Sequence, residues 1–186
     1  MKNWFRAIST AAAIFSSLAF LPGPIADSTV EDIEWMTWEE VADQVGDSQK
    51  KTLFNIYTDW CGWCKRMDQQ TFNAPGIAEY INANFYPVRF DAERKAPITY
   101  KEKTYGYVAS GKRGYHEFAA ELLRGRMSFP SVVFIDEEGN LLQSIVGYKS
   151  PEEFERILTY FAEDHYKNTP WSIYQKQFEP RLIRDK

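Results

Sequence analysis

Two cysteines and two histidines are all that this 186-residue chain offers as soft or imidazole ligands, and its four methionines form no tract. So few exclude a disulfide-dense secreted scaffold, and they disfavour a closed structural zinc site, which needs four ligands. No internal repeat and no low-complexity tract is present. Basic residues are in the minority, with 22 Lys and Arg against 26 Asp and Glu and a formal net charge of −4. That balance argues against nucleic acid as a partner. The one long apolar stretch, Ala7 to Leu21, is broken by Ser9, Thr10, Ser16 and Ser17. At about 15 residues it falls short of the ~20 that a bilayer-spanning helix needs. Lys2 and Arg6 precede it and Pro22-Gly23-Pro24 follow. Residues 1–26 are therefore expected to be an export signal cut near Ala26, leaving residues 27–166 as the folded domain in the periplasm or another extracytoplasmic space. Pro24 fits the small-residue pattern before such a cut poorly, so an uncleaved anchor stands as the alternative.

What is there is concentrated. Both cysteines lie in Thr58-Asp59-Trp60-Cys61-Gly62-Trp63-Cys64-Lys65, directly after the strand-like Thr52-Leu53-Phe54-Asn55-Ile56-Tyr57. A C-x-x-C pair opening a helix brings two sulfurs within bonding reach and sets the first near unpaired backbone N–H groups, which favour a thiolate. A structural staple is the bland reading. Closing so short a loop removes only about 2 kcal/mol of chain entropy, so redox chemistry is favoured.

Along the rest of the chain, Thr37-Trp38-Glu39-Glu40 has capping-box spacing for a short helix to about Gly46. A helix is predicted from the cysteines through Gln70, another opening at Pro75, and a strand from Phe85 to Phe90. Ile98, Tyr100, Tyr105 and Tyr107 around Lys101-Glu102-Lys103 predict one small hairpin, followed by a Gly-rich link, Ser110 to Gly114, and a helix carrying Phe118, Leu122 and Leu123. Strands Ser131–Asp136 and Leu141–Val146 read as an antiparallel hairpin. Ser150-Pro151 begins a helix with Phe154, Ile157, Leu158 and Phe161 inward, and the tail, residues 167–186, is expected to dock one more helix through Trp171, Ile173, Tyr174 and Phe178.

Three separated features together resemble the thioredoxin superfamily: Trp60-Cys61-Gly62-Trp63-Cys64-Lys65, Phe129-Pro130 before a strand, and Gly147 after the last strand. The run Tyr57-Thr58-Asp59-Trp60-Cys61 with Thr71-Phe72 is most similar to exported proteins related to the C-terminal domain of Dsb-type disulfide reductases, several of them linked to cytochrome c biogenesis. The resemblance implies an α/β thioredoxin fold, a central mixed sheet flanked by helices, with a hairpin-plus-helix insertion between Ala92 and Met127 before a cis proline. It implies that Cys61 attacks, partly exposed, and that Cys64 resolves the mixed disulfide. Trp60, Gly62, Trp63, Phe129 and a cis Pro130 would receive the substrate strand. Protein thiols and disulfides would be the substrates and a membrane reductase the electron donor, with no cofactor and no metal.

Two departures bear on mechanism. Where relatives carry a buried acid six residues before the first cysteine, this chain has Asn55, so a water or another carboxylate such as Asp59 would assist Cys64, or Asn55 is a structural amide. Trp63 stands where oxidising relatives have histidine and brings no positive charge, which tilts the expectation to a reductant. Trp63 and Phe129 are candidates for an apolar rim, with helix capping the alternative for Trp63. Lys65 and Arg66 read as a solvated helix face, and His116 as a surface or capping residue. Beside the reductase reading stand a Cu(I)-binding thiol protein and a disulfide isomerase or chaperone that uses the apolar rim.

Overall fold

A computed structural model describes residues 32–45 and 49–183. The expected signal, its cut near Ala26 and the expected helix end at Gly46 lie outside the described residues. Four strands form the central sheet in the order β2-β1-β7-β8. β1 (Lys51–Tyr57) runs parallel to β2 (Phe85–Asp91) and antiparallel to β7 (Ser131–Ile135), which pairs antiparallel with β8 (Leu141–Val146). A parallel β1–β2 pair requires a crossover. It is supplied by α2 (Gly62–Met67), a π-helical turn over Asp68–Phe72 and α3 (Ile77–Asn84).

Alternation along β1 divides the interior. Leu53 joins Met67, Phe72, Ile77, Ile81, Phe134 and the inward face of α5 (Pro151–Ala162) in one buried cluster. Phe54 and Ile56 point the other way, into a cluster with Trp38, Val88, Phe90, Phe118, Leu122 and Val133. Period-two burial of this kind fixes register, because a slip by one residue exchanges the faces. Ser150 caps α5 with its hydroxyl on the Glu153 N–H while the Glu153 carboxylate takes the Ser150 N–H, and Phe154, Ile157, Leu158 and Phe161 are buried as the pattern predicts.

Several expectations are corrected. The first helix, α1 (Trp38–Val41), is one turn, continued to Val45 by hydrogen-bonded turns, and buries only Trp38 and Val41. The cysteine helix does not stop at Gln70 but passes into the π turn that ends at Phe72 and buries Thr71 and Phe72. Pro75 does not open α3. Gly76 intervenes at φ +82, where an added Cβ would meet the Leu182 carbonyl oxygen at 2.3 Å, so tail and helix start are packed on one another.

The single hairpin expected between Pro97 and Val108 is two. β3 (Ile98–Tyr100) pairs with β4 (Lys103–Tyr105), and β5 (Tyr107–Ser110) pairs with β6 (Arg113–His116). The segment read as a Gly-rich link is the second hairpin's two-residue turn, with Gly111 at φ +58 as such turns demand. Helix α4 (Glu117–Leu122) follows, and Phe118 is the hub of the insertion, with ring contacts to Trp38, Phe54, Phe90, Tyr100 and Tyr105 at centroid distances of 5.1–5.8 Å.

His116 is not on the surface. It is fully buried and caps α4, its Nδ1 accepting the Phe118 N–H at 3.2 Å while Nε2 meets the Ala96 carbonyl at 3.2 Å. Burial holds its pKa below the usual imidazole value. The tail forms α6 (His165–Asn168) and α7 (Trp171–Gln177); Tyr174 is buried, whereas Trp171 and Ile173 stay exposed. The buried Glu155 carboxylate accepts the backbone N–H groups of Arg181, Leu182 and Ile183 and so holds the chain that follows.

Candidate active site

Cys61 is the N-cap of α2 in extended conformation, and its Sγ accepts the Cys64 N–H at 3.0 Å. An N-cap sulfur of this kind satisfies one of the orphan donors that every helix start leaves. Cys61 and Cys64 are joined as a disulfide. The expectation of a partly exposed Cys61 is corrected in this oxidised state: Cys61 is 5% exposed and Cys64 3%. Two large side chains stand out of the surface on either side, Trp60 at 52% and Trp63 at 55% exposure. Gly62 between them is open, with nothing within 4 Å of an added Cβ.

Pro130 follows a cis peptide bond and enters β7. The ring of Phe129 lies edge-on to Trp60 at 6.1 Å, which brings the Phe129-Pro130 segment up to the residue preceding Cys61. Trp60 also donates its indole N–H to Glu93 at 3.1 Å, and the guanidinium of Arg113 lies over its ring at 4.5 Å. Trp63 packs against Tyr148 at 5.6 Å, and Arg66 lies over both rings at 5.2 and 5.6 Å. A cation over an exposed aromatic face is worth about 0.5–1 kcal/mol.

Asn55 is buried on the β1 face that, through Leu53, packs against Met67 of the cysteine helix. Its Nδ2 donates to Asp68 Oδ1 at 3.3 Å, and its Oδ1 is buried without a hydrogen-bond partner among the described residues. Asp68 is four residues beyond Cys64 at the helix end, where its N–H bonds the Cys64 carbonyl, and Arg89 holds its other oxygen at 2.7 Å. Residues at i and i+4 share a helix face. Burial raises the Asp68 pKa above the ordinary carboxylate value, against the lowering pull of Arg89 and Asn55.

Of the residues singled out in the sequence, Trp60, Cys61, Gly62, Trp63, Cys64 and Phe129 thus meet at one place, with Pro130 next in the chain. Asp59 is exposed beside Trp60, and it is Asp68 that bonds Asn55. Asp68, Glu93, Arg113 and Tyr148 were not singled out. For Asp68 the i+4 spacing from Cys64 was a usable signal; the others arrive through the insertion and the β8–α5 turn and carried none. Among the described residues no cluster of three or more His, Cys, Asp or Glu is placed to hold a metal ion.

The thioredoxin-like domain family matches residues 38–162. This chain belongs to that family. A thioredoxin-fold protein from Helicobacter pylori superposes with a TM-score of 0.55 at 17% identity, covering 73% of this chain and 84% of its own. A DsbH oxidoreductase gives 0.51 at 18%, covering 81% and 95%. Among curated sequences, spermatogenesis-associated protein 20 of Rattus norvegicus is 24% identical over 84 residues, which is 45% of this chain but 11% of that protein's length. The chain therefore has a thioredoxin-like fold, a mixed sheet flanked by helices, with its C-x-x-C pair as a disulfide. Among its described residues no helix is long and apolar enough to cross a membrane.

Proposed function

We propose that this protein is an exported thiol:disulfide oxidoreductase that reduces disulfides in protein substrates. The observation that carries the reading is the Cys61–Cys64 disulfide at a helix start beside the cis Phe129-Pro130 segment. In the reduced protein the Cys61 thiolate attacks a substrate disulfide, forming a Cys61–substrate bond and releasing one substrate sulfur as a thiolate, which takes a proton from solvent. Cys64 then gives its thiol proton to the Asp68 carboxylate, and the new thiolate attacks Cys61 Sγ. The Cys61–Cys64 bond forms, the second substrate sulfur leaves, and two electrons have passed to the substrate.

Asn55 suits either state of Asp68. Its NH₂ donates to the carboxylate, and turned over, its oxygen accepts from the carboxylic acid. Trp60, Trp63, Phe129 and Pro130 line the approach, and Gly62 keeps it open. Regeneration needs an external dithiol, for which a membrane reductase is the candidate, and residues 1–26 would direct export to the periplasm.

Cys61→Ser is expected to abolish turnover of insulin disulfides, and retained turnover would overturn the mechanism. The direction of flow is read from the reduction potential of the couple. A value near thioredoxin's, roughly −270 mV, supports a reductant, and one near −120 mV would turn the assignment to disulfide formation.

A further inference from the structure

The protein is acidic overall, and the exposed Asp59 and the Trp60-bonded Glu93 lie on one side of its disulfide, yet cations flank that disulfide as well. Lys65 and Arg66 project from α2, and Lys112 and Arg113 from the tip of the β5–β6 hairpin, all exposed. Among the described residues none of the four is ion-paired with a carboxylate. Each exposed tryptophan beside the disulfide is faced by one of the arginines, Trp60 by Arg113 and Trp63 by Arg66. Each pair lines a depression. The one on the Trp60 side, about 230 Å³, is walled by Phe129, Met127, Tyr115, Glu93 and Arg113. The one on the Trp63 side, about 210 Å³, is walled by Gly62, Trp63 and Arg66 and contains no acid. Arg66 donates its Nε to Gln70 at 3.0 Å, which fixes the fork over the ring and leaves its terminal nitrogens for a ligand.

The geometry points to a specific occupant: an extended polypeptide segment with carboxylate side chains beside its reactive cysteine. The preference rests on the exchange reading above and deepens it. The methylene stem of a Glu packs on an indole face while its carboxylate meets the guanidinium already stacked there, a charge-assisted and bidentate contact. The Trp63–Arg66 depression is the stronger of the two, because Glu93 partly offsets Arg113 in the other.

Three peptides identical but for Glu, Gln or Lys on both sides of one cysteine, each blocked as its uncharged methyl disulfide, are mixed with the reduced protein, and exchange is followed by tryptophan fluorescence. The Glu peptide is expected to react about tenfold faster than the Lys peptide at low salt, with the Gln peptide between them. The advantage is expected to shrink in roughly 1 M salt, where the screening length falls to about 3 Å. Arg66→Glu is expected to reverse the order, whereas Lys176→Glu on α7, the same change of charge away from the disulfide, is expected to keep it. Equal rates for the three peptides, or an order unchanged in Arg66→Glu, would overturn the preference. Absence of exchange with all three would overturn the exchange reading and the preference with it.

Discussion

Cys61 and Cys64 are held on α2 by local spacing and by the Cys64 N–H on Cys61 Sγ, whereas Arg113, Glu93 and Met127 come from the insertion and gather about Trp60, the residue before Cys61. On the first side the scaffold is minimal: a strand, a sharp start of helix, and an Asn55–Asp68–Arg89 cluster that runs from the buried Asn55 to the exposed Arg89. On the second, two hairpins and α4 are pinned to the sheet by one aromatic hub, Phe118. The difference separates two jobs. Exchange chemistry needs groups fixed within a helical turn of one another, while recognition of a partner needs only surface, which an insertion can supply without disturbing the sheet.

Removing the hub should break the comparison most severely. Phe118→Ala deletes a fully buried ring and is expected to cost about 3–5 kcal/mol in urea unfolding, while folded molecules retain disulfide exchange at Cys61. A cost under about 1 kcal/mol would mean that the insertion is not anchored as described. Next in size is Asp68→Asn, which is expected to slow release of the second substrate sulfur by about a hundredfold, the low end of general-base effects, and to flatten its rise with pH. The charged group facing Asp68 across the sheet is Arg89, so Arg89→Gln should move the same profile upward in pH, because a cation that favours the carboxylate is lost. An unchanged profile in both variants would remove Asp68 from the mechanism.

His116 gives a subtler test on the insertion side. Its folded pKa lies below the ordinary imidazole value because of burial, so near and below pH 6.5 the unfolded chain binds the proton more readily. Stability is therefore expected to be complete above that pH and to fall as pH drops through it. His116→Asn, which keeps an N-cap acceptor, should remove that slope in urea midpoints measured between pH 7.5 and 5. The smallest effect concerns the β3–β4 turn, where Lys101 and Glu102 both sit at positive φ, 47° and 63°, a conformation for which Asn-Gly is better suited. That double replacement is expected to raise stability by about 0.5–1 kcal/mol, seen as a higher melting temperature with exchange rates unchanged.

The same division explains what could be read in the sequence. β1, β2, the β7–β8 hairpin and the Ser150-Pro151 start of α5 are each specified within a few residues by apolar runs, a cap or a turn, and all stand near their expected places. So do the cysteines and the Phe129-Pro130 segment, because the motif is local. The insertion was read as one hairpin and a link, since the turn at Gly111-Lys112 was masked by glycines that also suit a linker. The cap at His116 is local, on an N–H two residues ahead, and was among the expectations, whereas its burial and the placement of Arg113 over Trp60 depend on how the insertion packs, which no local pattern encodes. Asn55 raised the question of which group assists Cys64 in place of a buried acid, and the carboxylate that the structure bonds to Asn55 is Asp68, not the exposed Asp59. The helix face, four residues on from Cys64, carries it.

Trapping of the mixed disulfide is the most direct test that the scaffold side alone carries the chemistry. Reduced Cys64→Ser protein is incubated with a disulfide-bonded peptide and analysed intact by mass spectrometry. The account predicts a stable one-to-one adduct at Cys61 in this variant and in its Cys64→Ser/Arg113→Gln derivative, and none with Cys61→Ser. An adduct that forms equally well with Cys61→Ser, at Cys64, would contradict the assignment of Cys61 as the attacking sulfur.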